Sequence, residues 1–166
     1  MENPLTIITG GQTGVDQAAL QAAGDAGLET GGWCPPGRLC ESGVIPPEFP
    51  LRETEKEFSD RAPDIPRSLR TERNVSEAGA VLILIPGEMV PDPGTRWTRE
   101  CASHFRKPLL VADPFDESNI EIIFQWIRAC QPKALHVAGP AESRCPGIFD
   151  QTYSLLKKVF LLLIKE

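Results

Sequence analysis

With 166 residues, the chain fits one domain with one sizeable core, spanning residues 1–166. At 41% apolar and 24% charged it has the composition of a soluble globular protein, and its formal net charge of −6 argues against general nucleic-acid affinity while allowing a locally positive pocket. Five cysteines without a Cys-x-x-Cys pair, and an N-terminus without a signal-peptide pattern, point to reduced thiols in a cytoplasmic protein; no apolar run is long enough for a membrane span.

The first predicted element is a strand over Leu5–Thr9, short, apolar and rich in β-branched residues. A turn with Gly10, Gly11, Gln12, Thr13 and Gly14 follows, and Val15, Ala18, Ala19, Ala22 and Ala23 then recur at helical spacing. Strand, glycine turn and helix N-terminus together suit an oxyanion, because the first helical N–H groups lack intrahelical partners and the dipole favours negative charge. Spacing excludes two named versions of this device. The glycines read G-G-x-x-G rather than the dinucleotide fingerprint, and the P-loop lysine is missing. Asp16, in the first helical turn, suits the dipole but repels an anion placed too close.

From Gly31 to Leu51 the chain is rich in proline and glycine, and Arg52–Asp64 is highly charged and expected to be exposed; together they read as an irregular loop insertion, about 31–66, with a short strand near Gly31–Cys34. Its Trp33, Cys34, Arg38, Glu41 and Phe49 are unusual for an idle linker, so the loop is expected to fold over the ligand edge. Arg38 is its candidate anion contact, with a plain surface arginine as the alternative; Cys34 is the cysteine best placed to meet a ligand, with an apolar packing role as the alternative. Arg67, Arg70 and Arg73 then fall at three-residue steps, on one face of a helix.

Ala80–Pro86 is the most strand-like run, continuous enough to be buried on both sides. A proline- and glycine-bearing turn leads to a helix opened by Thr95, and Leu109–Asp113 reads as the next strand. Glu117–Cys130 is an amphipathic helix, Ala134–Gly139 the last strand, and a third polar turn containing Ser143 precedes a helix from about Gly147 to the end. Alternation of this kind predicts an α/β, three-layer fold with a mostly parallel sheet and helices on both faces. Three polar turns then share the C-terminal edge of the sheet, where such folds bind ligands. The final helix carries Val159–Ile164, apolar all round, and is expected to lie partly against another subunit of a homo-oligomer, a dimer or tetramer. His104 and His136 sit far from each other and from any cysteine pair, so no zinc site is expected.

The segments GGQTGVDQAAL (Gly10–Leu20), GGWCPPGR (Gly31–Arg38), E-x-G-x-I-P (Glu41–Pro46), R-T-x-x-N-V (Arg70–Val75), G-T-x-x-T (Gly94–Thr98) and A-G-P-x-E-S-x-x-P-G-I (Ala138–Ile148) resemble, in order, the putative molybdenum carrier family. That family is Rossmann-like and related to the "lonely guy" phosphoribohydrolases and the DNA-processing nucleotide-binding proteins. The resemblance implies a Rossmann-like fold, self-association, and binding of the molybdenum cofactor, a phosphate-bearing pterin with a dithiolene-bound metal, or of a similar phosphate-bearing ligand. It adds Arg70, Thr71, Asn74, Gly94, Thr95, Thr98 and Ser143 to the glycine turn and Arg38 as candidate ligand contacts. The chain departs from the family pattern at Pro93, where a glycine is expected, at Ala141, where an arginine is expected with Arg144 nearby, and at Ala78-Gly79 in place of Ser-Asp. The related hydrolases carry a catalytic glutamate at the position of Thr98, which supplies no carboxylate, so a binder rather than an enzyme is expected. The alternative is a nucleotide-processing enzyme acting on a nucleoside monophosphate, with Asp16, Glu41 or Glu100 as base.

Overall fold

The computed structural model describes residues 4–165. Five parallel strands, β1 (Thr6–Ile8), β2 (Glu29–Gly31), β3 (Ala80–Leu84), β4 (Leu109–Ala112) and β5 (Ala134–Ala138), form one sheet in the order β2-β1-β5-β3-β4. Helices α1 (Val15–Asp25), α4 (Asn119–Cys130) and α5 (Ile148–Ile164) cover one face, and α2 (Ser68–Glu77) and α3 (Pro93–His104) cover the other. The fold is the expected α/β, Rossmann-like three-layer arrangement.

The pleat of β3 shows why. Ala80, Leu82 and Leu84 pack toward α1, α4 and α5, while Val81 and Ile83 pack toward α2 and α3, and all five are buried. A strand covered on both faces has no solvent side, which is why its sequence is unbroken by polar residues. Burying each such Val, Leu or Ile side chain contributes about 1.5–3 kcal/mol of transfer free energy. Beneath α5, Leu155, Leu156, Val159, Phe160 and Leu163 complete the larger core, leaving Leu161 and Ile164 as its exposed large apolar residues.

Three boundaries differ from the sequence expectation. Strand β2 is a full member of the sheet at its edge, although Glu29 and Thr30 carry no apolar pattern; its pairing with β1 decides it. Helix α3 begins at Pro93, capped by the Asp92 carboxylate, which accepts from Thr95 N at 2.8 Å, so Thr95 lies inside the first turn and is not the cap. Helix α4 starts at Asn119 rather than Glu117.

The irregular segment 32–67 holds two small ribbons, Trp33–Cys34 beside Arg52–Glu53 and an antiparallel hairpin, Leu39–Cys40 with Gly43–Val44. It also feeds α2 onto the sheet. The strand order explains what comes next. Strands β1, β5 and β3 are neighbours, yet β1 leads outward to β2 and β3 leads outward to β4, so a crevice opens at their C-terminal ends.

Candidate functional site

A cavity of about 300 Å³ occupies that crevice. Gln12 and Asp16 line it from the turn after β1 and the start of α1. Asp92, Gly94, Thr95 and Thr98 line it from α3 and its cap, and Gly139, Ala141, Ser143 and Arg144 from the turn after β5. Arg67 at the start of α2, with Arg70 and Thr71 within it, closes the cavity on that side, and Glu41 reaches in from the hairpin. The three turns predicted to share an edge therefore share one cavity, and a fourth and fifth segment complete its wall.

Many backbone donors of those turns are already engaged by the chain itself. Gln12 N donates to Asp16 Oδ2 at 3.2 Å, and Thr13 N to Gln12 Oε1 at 3.0 Å. Val15 N donates to Pro140 O at 3.3 Å. Thr95 N is taken by Asp92, Ser143 N by Glu41 Oε1 at 3.1 Å, and the start of α5 by Glu142, which accepts from Gly147 N at 2.6 Å and Phe149 N at 2.9 Å. The glycine turn is thus not an open cradle of N–H groups. A carboxylate in the first turn satisfies the orphan donors that an external anion would otherwise fill.

Charge in the cavity comes from side chains instead. Arg67, Arg70 and Arg144 face Asp16, Glu41 and Asp92. Arg144 Nε lies 3.6 Å from Asp92 Oδ2, which puts the arginine noted near Ala141 into the cavity wall. Arg70 Nη1 lies 3.4 Å from Asp16 Oδ2, a loose contact for a charged pair, and its buried Nε has no hydrogen-bond partner. Burial pushes the Asp16 carboxyl up to about 6, against the pull of Arg70 and the backbone N–H groups of Gln12 and Gly10.

Of the residues expected to contact a ligand, Gln12, Arg70, Thr71, Gly94, Thr95, Thr98 and Ser143 line the cavity. Gly10, Gly11, Thr13, Gly14, Arg38 and Asn74 do not, for identifiable reasons. Gly10 makes room for an arginine: a Cβ there would lie 1.8 Å from Arg70 Nη1. Gly11 backs onto Ile45 and Leu51, and Gly14 onto the Pro140 carbonyl. The Thr13 hydroxyl ties the turn to its neighbours, donating to Glu41 and accepting from Glu142 N.

Arg38 points away from the ligand edge and donates to the carbonyls of Leu51, Pro46 and Phe49 at 3.0, 3.0 and 2.9 Å, holding the irregular segment together. Asn74 is buried and clasps the Trp33 backbone, accepting from its N–H at 2.8 Å and donating to its carbonyl at 3.0 Å. Cys34 is buried in an apolar cluster with Leu20, Ile45, Phe49 and Leu51, and burial raises its thiol pKa; the packing role holds. Trp33 lies between the guanidinium groups of Arg52 and Arg73, outside the cavity. The expected arginine stripe also divides: Arg73 pairs with exposed Glu55, whereas Arg67 and Arg70 enter the site.

Sequence reasoning missed Asp92 as a wall residue and weighed Glu41 only as a base. For Asp92 the signal was present, since Asp-Pro at a turn-to-helix junction places the acid at the cap.

The chain matches the model of the circularly permutated YpsA SLOG family over residues 7–160. No curated protein matches it. Its structure is similar to the crystal structure of a protein from Syntrophus aciditrophicus SB named "putative molybdenum carrier protein", with a TM-score of 0.82 and 34% sequence identity over 96% of each chain. With a family match spanning nearly the whole chain and a shared fold at this identity, the chain belongs to the circularly permutated YpsA SLOG family.

Proposed function

We propose that this protein binds, and carries, a small phosphate-bearing ligand in the cavity, and that the molybdenum cofactor is that ligand. The observation that carries the reading is Arg70. Its side chain lines the cavity with one contact, a loose one to Asp16, so a charged guanidinium is left under-satisfied beside the space a ligand would fill. A phosphate oxygen meets that need through charge-assisted hydrogen bonds, with Arg67 adding positive charge beside it. Thr71 and Ser143 line the same wall.

The residues fit the phosphate end of the cofactor. No thiol or imidazole lines the cavity, and among the described residues no group of three or more His, Cys, Asp or Glu side chains is placed to hold a metal ion. In this reading the metal keeps the dithiolene of the cofactor as its ligand, and the protein contributes binding and shielding. The name of the Syntrophus protein supports the choice of ligand.

Native mass spectrometry of the protein made in cells that synthesise the cofactor tests the proposal. A bound mass that disappears in Arg70→Met is expected. Release of free base from nucleoside monophosphates, abolished by Asp16→Asn, would replace the carrier reading with the nucleotide-processing one.

We also infer self-association through α5, supported by Leu161 and Ile164, which are 42% and 47% exposed on a helix whose other large aliphatic side chains are buried or half-buried. Sedimentation of Leu161→Glu/Ile164→Glu against the parent chain tests it, with a fall in mass expected. Five free cysteines are in keeping with a reducing, cytoplasmic setting. Among the described residues no helix is long and apolar enough to cross a membrane.

A further inference from the structure

The three carboxylates of the cavity are not held alike. Asp16 sits in the first turn of α1, and Asp92 caps α3. Glu41 instead sits at the tip of the 39–44 hairpin, whose ribbon is two residues wide and whose Leu39 and Val44 are 55% and 66% exposed. The hairpin reaches across the mouth of the cavity, and Glu41 N donates to Gln12 Oε1 at 2.9 Å.

At the end of that reach the Glu41 carboxylate accepts from the Thr13 hydroxyl, from Ser143 N at 3.1 Å and from the Ser143 hydroxyl at 2.5 Å. Three donors from two separate turns converge on one pair of oxygens. That is the geometry of an oxyanion seat, built by the turns after β1 and β5 and filled by a side chain from a third segment. The same donors hold the carboxyl below its ordinary range, so it is ionised at neutral pH.

We propose that Glu41 is a displaceable stand-in for the ligand's oxyanion, so that ligand binding exchanges a tethered carboxylate for a phosphate and releases the 39–44 hairpin. The inference rests on the reading of the cavity as an anion site. Charge supports exchange over simple addition. With Glu41 in place the wall carries Arg67, Arg70 and Arg144 against Asp16, Glu41 and Asp92, and an added anion meets a neutral wall with a carboxylate at its mouth. With Glu41 withdrawn, one positive charge remains uncompensated. Exposure lowers the barrier to exchange, because hydrogen bonds and charges near water contribute little net free energy. The released hairpin would also open the cavity mouth, giving a carrier a means of coupling loading to a change of surface.

The test is calorimetric titration with inorganic phosphate and with guanosine monophosphate. Glu41→Ala should bind both about tenfold more tightly than the parent chain, and Glu41→Gln should fall between them, since its amide oxygen still accepts but carries no charge. Ser143→Ala in the Glu41→Ala background should remove the gain. Amides of residues 38–45 should exchange hydrogen faster when the parent chain is saturated with phosphate. Unchanged or weaker binding by both Glu41 variants would overturn the proposal, as would a gain confined to the nucleotide, because the seat reads the oxyanion and not its ester. Arg70→Met separates this failure from failure of the underlying reading: if it binds phosphate as the parent does, the cavity is not the anion site at all. Circular dichroism of each variant confirms the fold, and Glu41→Gln keeps the test valid should Glu41→Ala not fold.

Discussion

Arg70 of α2 and Asp16 of α1 meet inside the cavity with Nη1 and Oδ2 3.4 Å apart. Charged pairs that are fully satisfied close to about 2.8 Å, so this pair is loose. Its looseness is local: Asp16 is drawn to the Gln12 N–H, and Arg70 lies over Gly10. The acid is therefore shared between the arginine and the turn, and the guanidinium is left with donor capacity that Asp16 does not use.

Anion affinity should depend on the charge of Asp16. Arg70 from α2 and Asp92 from the α3 cap act on it, Glu41 stays ionised, and His136 beneath is held neutral by burial. With its pKa near 6, Asp16 gains a proton as pH falls from 7.5 to 5, and Arg70 loses its competing carboxylate. Sulfate is the suitable probe because its own charge does not change in this range. Its affinity at constant ionic strength should rise about tenfold between pH 7.5 and 5, and Asp16→Asn should bind it independently of pH.

Stability against pH should show a cancellation. Asp16 is raised from 3.8 to about 6, so the folded state holds its proton longer than the unfolded state, and its contribution is present below pH 4 and lost as pH rises to 6. His136 is lowered from 6.5 to about 4, so its contribution is present above pH 6.5 and lost as pH falls to 4. The two slopes oppose each other over the same window, each about 1.4 kcal/mol per pH unit at most. Urea unfolding of the parent chain should be nearly flat between pH 4.5 and 6. Asp16→Asn should lose stability as pH falls through that window, and His136→Gln should lose it as pH rises.

The layered fold was legible because its determinants are local and periodic. Ala80–Leu84 has no polar residue since both faces of β3 are covered, and α1 shows its apolar stripe in alanines. The sheet edge where the cavity opens followed from topology. What the chain does not display locally is the direction of a side chain whose segment is irregular. Arg38 and Arg70 both sit beside family-like motifs, yet one satisfies three loop carbonyls and the other faces the cavity, and only the packing of segment 32–67 separates them. Strand β2 was hidden for a related reason: an exposed edge strand needs no apolar alternation when its partner supplies the ladder. The glycine turn misled in the opposite sense, since Asp16 was visible but its role as occupant of the turn's own N–H groups depends on a backbone fold that spacing does not encode.

Two glycines of that turn should respond differently to alanine. At Gly10 the new Cβ would lie 1.8 Å from Arg70 Nη1 and 2.7 Å from its Cδ, so a side chain and not the backbone must give way. At Gly14, φ is +77° and the new Cβ would lie 2.5 Å from the Pro140 carbonyl and 2.7 Å from Glu142 N, which are backbone atoms with nowhere to go. Gly14→Ala should therefore cost about 3 kcal/mol and lower the melting temperature by about 10 °C. Gly10→Ala should cost less than Gly14→Ala, since a side chain gives way and not backbone, and should lose phosphate affinity as Arg70 is displaced from Asp16. Thermal melts paired with phosphate titrations on both variants check the contrast.

Arg38 should prove to be a stability residue. Its guanidinium satisfies three carbonyls of residues 46–51, a stretch that carries Phe49 and Leu51 into the apolar cluster around Cys34. Arg38→Met keeps much of the side-chain bulk but removes the donors, leaving the Leu51 carbonyl without a partner and the Pro46 and Phe49 carbonyls with only their backbone donors, at a cost of about 1–3 kcal/mol. Because the guanidinium is absent from the cavity wall, phosphate affinity of the folded variant should stay within about twofold of the parent. Urea unfolding and phosphate titration of Arg38→Met decide the matter together. Loss of affinity with unchanged stability would return Arg38 to the ligand site that its sequence context suggested.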